Sequence, residues 1–86
     1  MVKIEIYTKM MCPFCWRAKQ LLDSKGVVYE EIPAYLDKKV RDRMRERSFG
    51  ANTFPQIFIG GQHIGGCDEL YSLEHAGKLE PLLNGL

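Results

Sequence analysis

Residues 2–7, Val-Lys-Ile-Glu-Ile-Tyr, alternate apolar and polar side chains, the period of a strand with Val2, Ile4 and Ile6 on its buried face. From Pro13 to about Lys25 the spacing turns helical, with Cys15, Ala18, Leu21 and Leu22 near one face. Pro13 suits a first helical turn, where its missing N–H has no intrahelical partner, and Gly26 supplies a C-terminal stop. Val27–Ile32 reads as a second strand ended by Pro33. Asp37–Ser48 reads as a charged helix with Leu36, Val40 and Met44 spaced four apart. After the loop 49–52 and Thr53-Phe54-Pro55, Gln56–Ile59 forms a third strand. Gly60-Gly61 turns the chain into a fourth, Gln62–Ile64. Beyond Gly65-Gly66 a helix opens near Cys67 or Asp68 and runs to about Gly77. Leu79–Leu83 adds a short helix that tolerates Pro81 only in its first turn.

The predicted order is β-α-β-α-β-β-α. A strand-helix-strand unit closes by a right-handed crossover onto a parallel neighbour, whereas the glycine hairpin forces an antiparallel pair. The expectation is an α/β, thioredoxin-like fold: a four-stranded mixed sheet with helices on both faces, in one domain spanning residues 1–86.

Composition narrows the role. Eighty-six residues with 45 % hydrophobic content are enough for one small packed core. No apolar run approaches the roughly 20 residues of a membrane span, and no signal-peptide pattern opens the chain. Twelve Lys and Arg balance eleven Asp and Glu. That near-neutrality argues against a mainly electrostatic nucleic-acid or membrane role. The helix from Asp37 to Arg47 gathers six of the basic residues and reads as a solvated face. Three cysteines are too few, and odd in number, for a disulfide-stapled secreted domain, so a reducing cytoplasm is the expected compartment.

Cys12-Pro13-Phe14-Cys15 is the densest chemical signal. A Cys-x-x-Cys can be half of a zinc site, a structural disulfide or a redox pair. Zinc asks for four ligands. Only Cys67, His63 and His75 remain, and none forms a second closely spaced pair, so no metal site is expected. An inert disulfide does not suit a cytosolic chain. At a strand-to-helix junction, Cys12 meets the unsatisfied N–H groups and positive dipole of the helix N-terminus, which favour a thiolate. Lys9 adds a cation. Cys15 lies one turn inward, so Cys12 attacks and Cys15 resolves.

Two later motifs suggest a groove. Pro55 cannot donate to a ladder, and a cis Phe54–Pro55 bond would free backbone groups of Phe54 for a bound peptide; a trans proline at a strand start is the alternative. At Gly65-Gly66-Cys67-Asp68 the glycines permit close approach, and the N–H groups of Cys67 and Asp68 can hold a carboxylate. An ordinary turn capped by Asp68 is the alternative there. Cys67 is expected to act through its backbone, and His63, His75 and Trp16 are read as surface or packing residues.

Together, Cys12-Pro13-Phe14-Cys15, Thr53-Phe54-Pro55 and Gly65-Gly66-Cys67-Asp68 resemble the bacterial dithiol glutaredoxins over essentially the whole chain. The resemblance implies glutathione-dependent thiol–disulfide exchange by a monomer, with cis Pro55 and with glutathione as co-substrate. Its partners would be protein disulfides and glutathionylated proteins. It implies that Cys12 takes glutathione, Cys15 resolves, and Lys9 faces the glycine carboxylate. Phe14, Thr53, Phe54 and Pro55 would line the peptide, while Gly66, Cys67 and Asp68 would bind its γ-glutamyl end. The sequence departs from the family where tyrosine usually precedes the second cysteine (Phe14) and valine usually precedes the proline (Phe54). Two rival readings are an iron–sulfur carrier using Cys12 and glutathione, and a thioredoxin-type hydrogen donor. Pro13 stiffens the loop against the first, and a glutathione pocket is superfluous to the second.

Overall fold

A computed structural model describes residues 2–85; Met1 and Leu86, the ends of the expected domain, lie outside the described residues. The elements are β1 (Ile4–Thr8), α1 (Pro13–Ser24), β2 (Glu30–Pro33), α2 (Lys38–Arg47), β3 (Gln56–Ile59), β4 (Gln62–Gly65), α3 (Cys67–His75) and α4 (Leu79–Leu83). The sheet order is β2-β1-β3-β4. β1 runs parallel to β2, with Glu5 opposite Glu30, and antiparallel to β3, with Ile6 opposite Ile57. β3 and β4 form the antiparallel hairpin. This is the thioredoxin-like mixed sheet.

Strand alternation sends side chains to two different cores. Ile4, Ile6, Ile57 and Ile59 pack with Ala18 and Leu22 of α1, Leu70 of α3, and Leu79 and Leu83 of α4. On the opposite face Tyr7 and Phe58 pack with Ala34 and Met44 of α2. β1 is therefore covered on both sides and every residue in it is buried. The alternation had marked only one buried face.

The polar members of that second face are paired. Arg47 at the end of α2 grips Glu5 with two parallel hydrogen bonds, Nη2 to Oε1 at 2.8 Å and Nη1 to Oε2 at 3.1 Å. Its Nη1 also donates to the Tyr7 hydroxyl at 2.9 Å, and the guanidinium lies 4.1 Å from the Phe58 ring centroid. These bonds hold the Glu5 carboxyl below the usual carboxylate range against the opposing effect of burial.

Two expectations are corrected. The second strand begins at Glu30 rather than Val27, because β1 offers its first partner at Glu5. Val27 and Tyr29 pack against the core without a ladder, and Val28 is exposed. Pro33 is the strand's last residue, tolerated because β2 is a sheet edge. Leu36 does not join Val40 and Met44: Asp37 caps α2 by accepting from Lys39 and Val40, which leaves Leu36 before the helix and exposed.

Candidate active site

β1 ends at Thr8 and α1 opens at Pro13, so the short connection delivers Cys12 to the N-cap position in an extended conformation. There Cys12 Sγ accepts a hydrogen bond from the Cys15 N–H at 3.2 Å. An amide aimed at this sulfur stabilises its anion once the pair is reduced. In the structure Cys12 and Cys15 are joined as a disulfide, with Cα atoms 5.2 Å apart. Cys12 is half-buried, whereas Cys15 is only 2 % exposed. The difference separates their chemistry: an incoming disulfide can meet Cys12, and Cys15 can attack only from behind it.

The Phe54–Pro55 bond is cis. It brings the Phe54 carbonyl oxygen to 3.9 Å from Cys12 Sγ. Phe14, Thr53, Phe54, Pro55, Gly66, Cys67 and Asp68 line one cleft of about 150 Å³, together with Glu69. The second motif forms one wall and the third forms the other. Gly66 is where they nearly touch, since a Cβ there would stand 3.3 Å from the Pro55 carbonyl oxygen. Gly65 has φ +120°, and a Cβ on it would fall 2.8 Å from the Glu69 side chain. Gly65 is required by its left-handed-region backbone and the Glu69 side chain beside it, and Gly66 suits the close approach of the two walls.

Lys9 is not in that cleft. It lines an adjoining groove that opens onto Cys12 and Cys15 and is also bounded by Met10, Met11 and Trp16. Its ammonium lies 5.8 Å from the ring centroid of Phe54, which links the two recesses. Beneath this groove Glu31 of β2 accepts from the Thr8 hydroxyl at 2.8 Å and pairs with Lys19 of α1 at 3.2 Å.

α3 starts at Cys67, with Gly66 rather than Asp68 at its N-cap. The Gly66 N–H donates to Glu69 Oε1 at 2.6 Å, so Asp68 stays exposed in the first turn. An Asp68 cap is thereby excluded. Cys67 is buried, and its burial pushes the thiol above its ordinary range; Arg17 opposes that shift while Asp68 and Glu69 add to it. His75 is exposed at the end of α3.

Glu69, Gln56 and Tyr35 near the site escaped the sequence reading, and His63 has a bracing role beyond the surface or packing one expected of it. Glu69 could have been found, because a glutamate three residues into a helix is the usual partner of the N-cap N–H. Gln56 is buried at the start of β3, where its Nε2 donates to both the carbonyl and the hydroxyl of Thr53 at 3.1 Å. Its Oε1 therefore faces His63 Nε2 at 2.7 Å, and that nitrogen must be the donor. His63 thus braces the cleft wall through Gln56. Tyr35 packs against Phe54 across a contact between separate segments, and no local pattern encodes it.

Among the described residues no group of three or more His, Cys, Asp or Glu side chains is arranged to hold a metal ion. No helix among them is long and apolar enough to cross a membrane.

Residues 4–64 match the Glutaredoxin family model. Glutaredoxin 3 of Escherichia coli (strain K12) is 55 % identical over 83 residues, covering 96 % of this chain and 99 % of its own. The solution structure of a glutaredoxin from Brucella melitensis is 57 % identical, superposes with a TM-score of 0.84, and is matched over 96 % of this chain and 89 % of that one. A crystal structure of a buckwheat glutaredoxin–glutathione complex superposes with a TM-score of 0.87 at 32 % identity, over 98 % of this chain and 78 % of that one.

Proposed function

The chain belongs to the glutaredoxin family of thiol–disulfide oxidoreductases, and on that premise we propose that Cys12 and Cys15 run glutathione-dependent exchange in a single domain. The observation that carries this reading is the adjacency of an N-capping cysteine to a cleft whose walls are a cis-proline turn and the start of α3. The buckwheat relative bound to glutathione supports the same ligand here.

In the dithiol route, the Cys12 thiolate attacks one sulfur of a protein disulfide. A Cys12–protein mixed disulfide forms and the other protein thiolate leaves. Cys15, losing its proton, attacks Cys12 Sγ; the second protein thiol departs and the Cys12–Cys15 disulfide remains. A glutathione thiolate then attacks Cys12 Sγ and expels Cys15. A second glutathione attacks the bound glutathione sulfur, releasing glutathione disulfide and the Cys12 thiolate. The monothiol route starts with attack of Cys12 on the glutathione sulfur of a glutathionylated protein. It releases the protein thiol and ends with the same last step.

The chain's own groups supply three functions. The Cys15 N–H stabilises the Cys12 anion both as attacker and as leaving group. The Phe54 backbone, exposed by the cis bond, pairs with the cysteinyl part of glutathione, and Lys9 faces the glycine carboxylate. The N–H groups of Cys67 and Asp68 at the start of α3 take the γ-glutamyl carboxylate, where the helix dipole favours an anion. Phe14 contributes a ring face where a tyrosine would add a hydroxyl.

All these residues come from one copy of the chain, which supports action as a monomer. The reading places the enzyme in the cytoplasm, whose glutathione pool is reducing. Mass spectrometry of the oxidised protein titrated with glutathione tests it. Wild type should pass through a transient single adduct to the dithiol. Cys15→Ser, which cannot form the internal disulfide, should take one glutathione from glutathione disulfide with release of the other, hold that adduct on Cys12 and keep monothiol turnover. Cys12→Ser should abolish both adduct and activity. Full activity in Cys12→Ser, or no adduct in Cys15→Ser, overturns the assignment.

A further inference from the structure

Lys9 carries a long, freely rotating side chain and is exposed, yet its ammonium has two fixed neighbours. It sits 5.8 Å from the centroid of the Tyr35 ring and 5.8 Å from that of Phe54. The two rings meet edge to face, with centroids 6.5 Å apart and planes inclined at 69°. A cation within about 6 Å of an aromatic centroid is attracted by the ring quadrupole.

The surroundings fix the rings relative to Lys9. Tyr35 follows Ala34, whose N–H donates to the Thr8 carbonyl at 2.9 Å, so the backbone beside Tyr35 is tied to the residue before Lys9. Phe54 packs against the core cluster of Tyr7, Ala34, Met44 and Phe58, with its carbonyl beside Cys12 Sγ. Tyr35 is 54 % exposed, so core burial does not account for its position.

We propose that Tyr35 is a positioning residue which, with Phe54, forms an aromatic clamp that holds the Lys9 ammonium at the mouth of the glutathione cleft. The inference rests on the reading above that Lys9 faces the glycine carboxylate. Ring faces attract the charge without using its three N–H donors, so these stay free for a carboxylate. Ordering the lysine before the ligand arrives removes part of the entropic cost of binding. It also gives the phenylalanine at position 54 a role that the usual valine could not fill.

Steady-state kinetics with a glutathionylated peptide, measured for wild type, Y35F, Y35L, K9Q and K9Q/Y35L, tests the clamp. K9Q should raise KM. Y35L should raise KM about 2–5-fold with kcat nearly unchanged, the size expected of an exposed cation–π contact. Y35F keeps the ring and should behave as wild type. In the K9Q background, Y35L should add nothing, since the clamp has lost its cation. The clamp is overturned if Y35L leaves KM unchanged while K9Q raises it, or if Y35L acts equally in both backgrounds. An unchanged KM in K9Q overturns the carboxylate role of Lys9 and the clamp with it. Should thermal melting show Y35L to be unfolded, Y35Q replaces it in the same cycle with the same criteria.

Discussion

Replacing Arg47 by Met should unfold the protein far more readily than a surface substitution, and acid should narrow the difference. The substitution keeps an apolar stem over Phe58 but deletes both bonds to Glu5 and the one to Tyr7. The Glu5 side chain is 10 % exposed, so its carboxylate would be left nearly dry, without a hydrogen bond from Arg47 and with only the exposed Lys3 ammonium, 3.9 Å away, beside it. Breaking a fully buried pair costs about 3–5 kcal/mol. With Arg47 itself 23 % exposed, water can reach part of the gap, and about 2–3 kcal/mol is expected. An 86-residue domain at roughly 0.05–0.15 kcal/mol per residue has only about 4–13 kcal/mol in total. The loss corresponds to a fall in Tm of about 10–20 °C.

The pH dependence supplies the sharper check. In wild type the Glu5 carboxyl titrates below its unfolded value. Its contribution is therefore present above the unfolded carboxylate pKa of about 4.3 and is lost as pH falls through the depressed folded value. In Arg47→Met the hydrogen bonds that lower the folded value are gone, and burial is opposed only by the weaker attraction of Lys3 and Arg43, so the folded value moves upward. The penalty is then largest at neutral pH and is relieved on acidification. Urea denaturation of both proteins at pH 7 and pH 4 should show the gap shrinking, and E5Q/R47M should recover part of it at pH 7. A loss below about 1 kcal/mol, or a gap that is the same at both pH values, would refute the role given to this pair.

Two further outcomes concern the cleft. Gly65→Ala places a methyl group against Glu69 in a backbone conformation that L-residues avoid, so a loss of about 1–3 kcal/mol is expected in denaturant titration, with KM for glutathione raised as the wall shifts. In the oxidised protein Cys67 is the one free thiol, buried and with its thiol–thiolate equilibrium pushed upward. Alkylation by iodoacetamide at pH 8 should therefore be slow while the protein is folded and rapid once urea unfolds it; equal rates would contradict the burial.

What the chain made legible was the part encoded locally. The β1 alternation, Pro13 before a helical run and the Gly60-Gly61 hairpin each determine a short segment by its own sterics, and those elements form, with the first strand at Ile4–Thr8 rather than the expected 2–7. Misreadings arose where a neighbour decides. Val27–Tyr29 has strand composition but no partner beside it, because pairing with β1 starts at Glu5 and Glu30. Leu36 continues the spacing of Val40 and Met44, yet Asp37 ends that series by capping the helix after it. Glu5 and Tyr7 looked outward until α2 closed over them, and Arg47 left the solvated basic face to do so. At the cleft, motif residues were visible because they carry chemistry. Gln56, His63 and Tyr35 support those motifs through contacts between distant segments, which no spacing rule reveals.

The edge position of β2 has a consequence of its own. An outermost strand exposes a row of unpaired backbone groups that another chain can copy, which is how many sheets begin to aggregate. Here that border is four residues long, presents two adjacent glutamates, and finishes on a proline that has no N–H to offer. A second copy arriving edge-on would meet a missing donor, with the ion pairs of Glu30 with Lys3 and Glu31 with Lys19 standing beside it. The same Pro33 that tempts a reader to end the strand early thus helps this small sheet stay finite when many copies share a crowded cell.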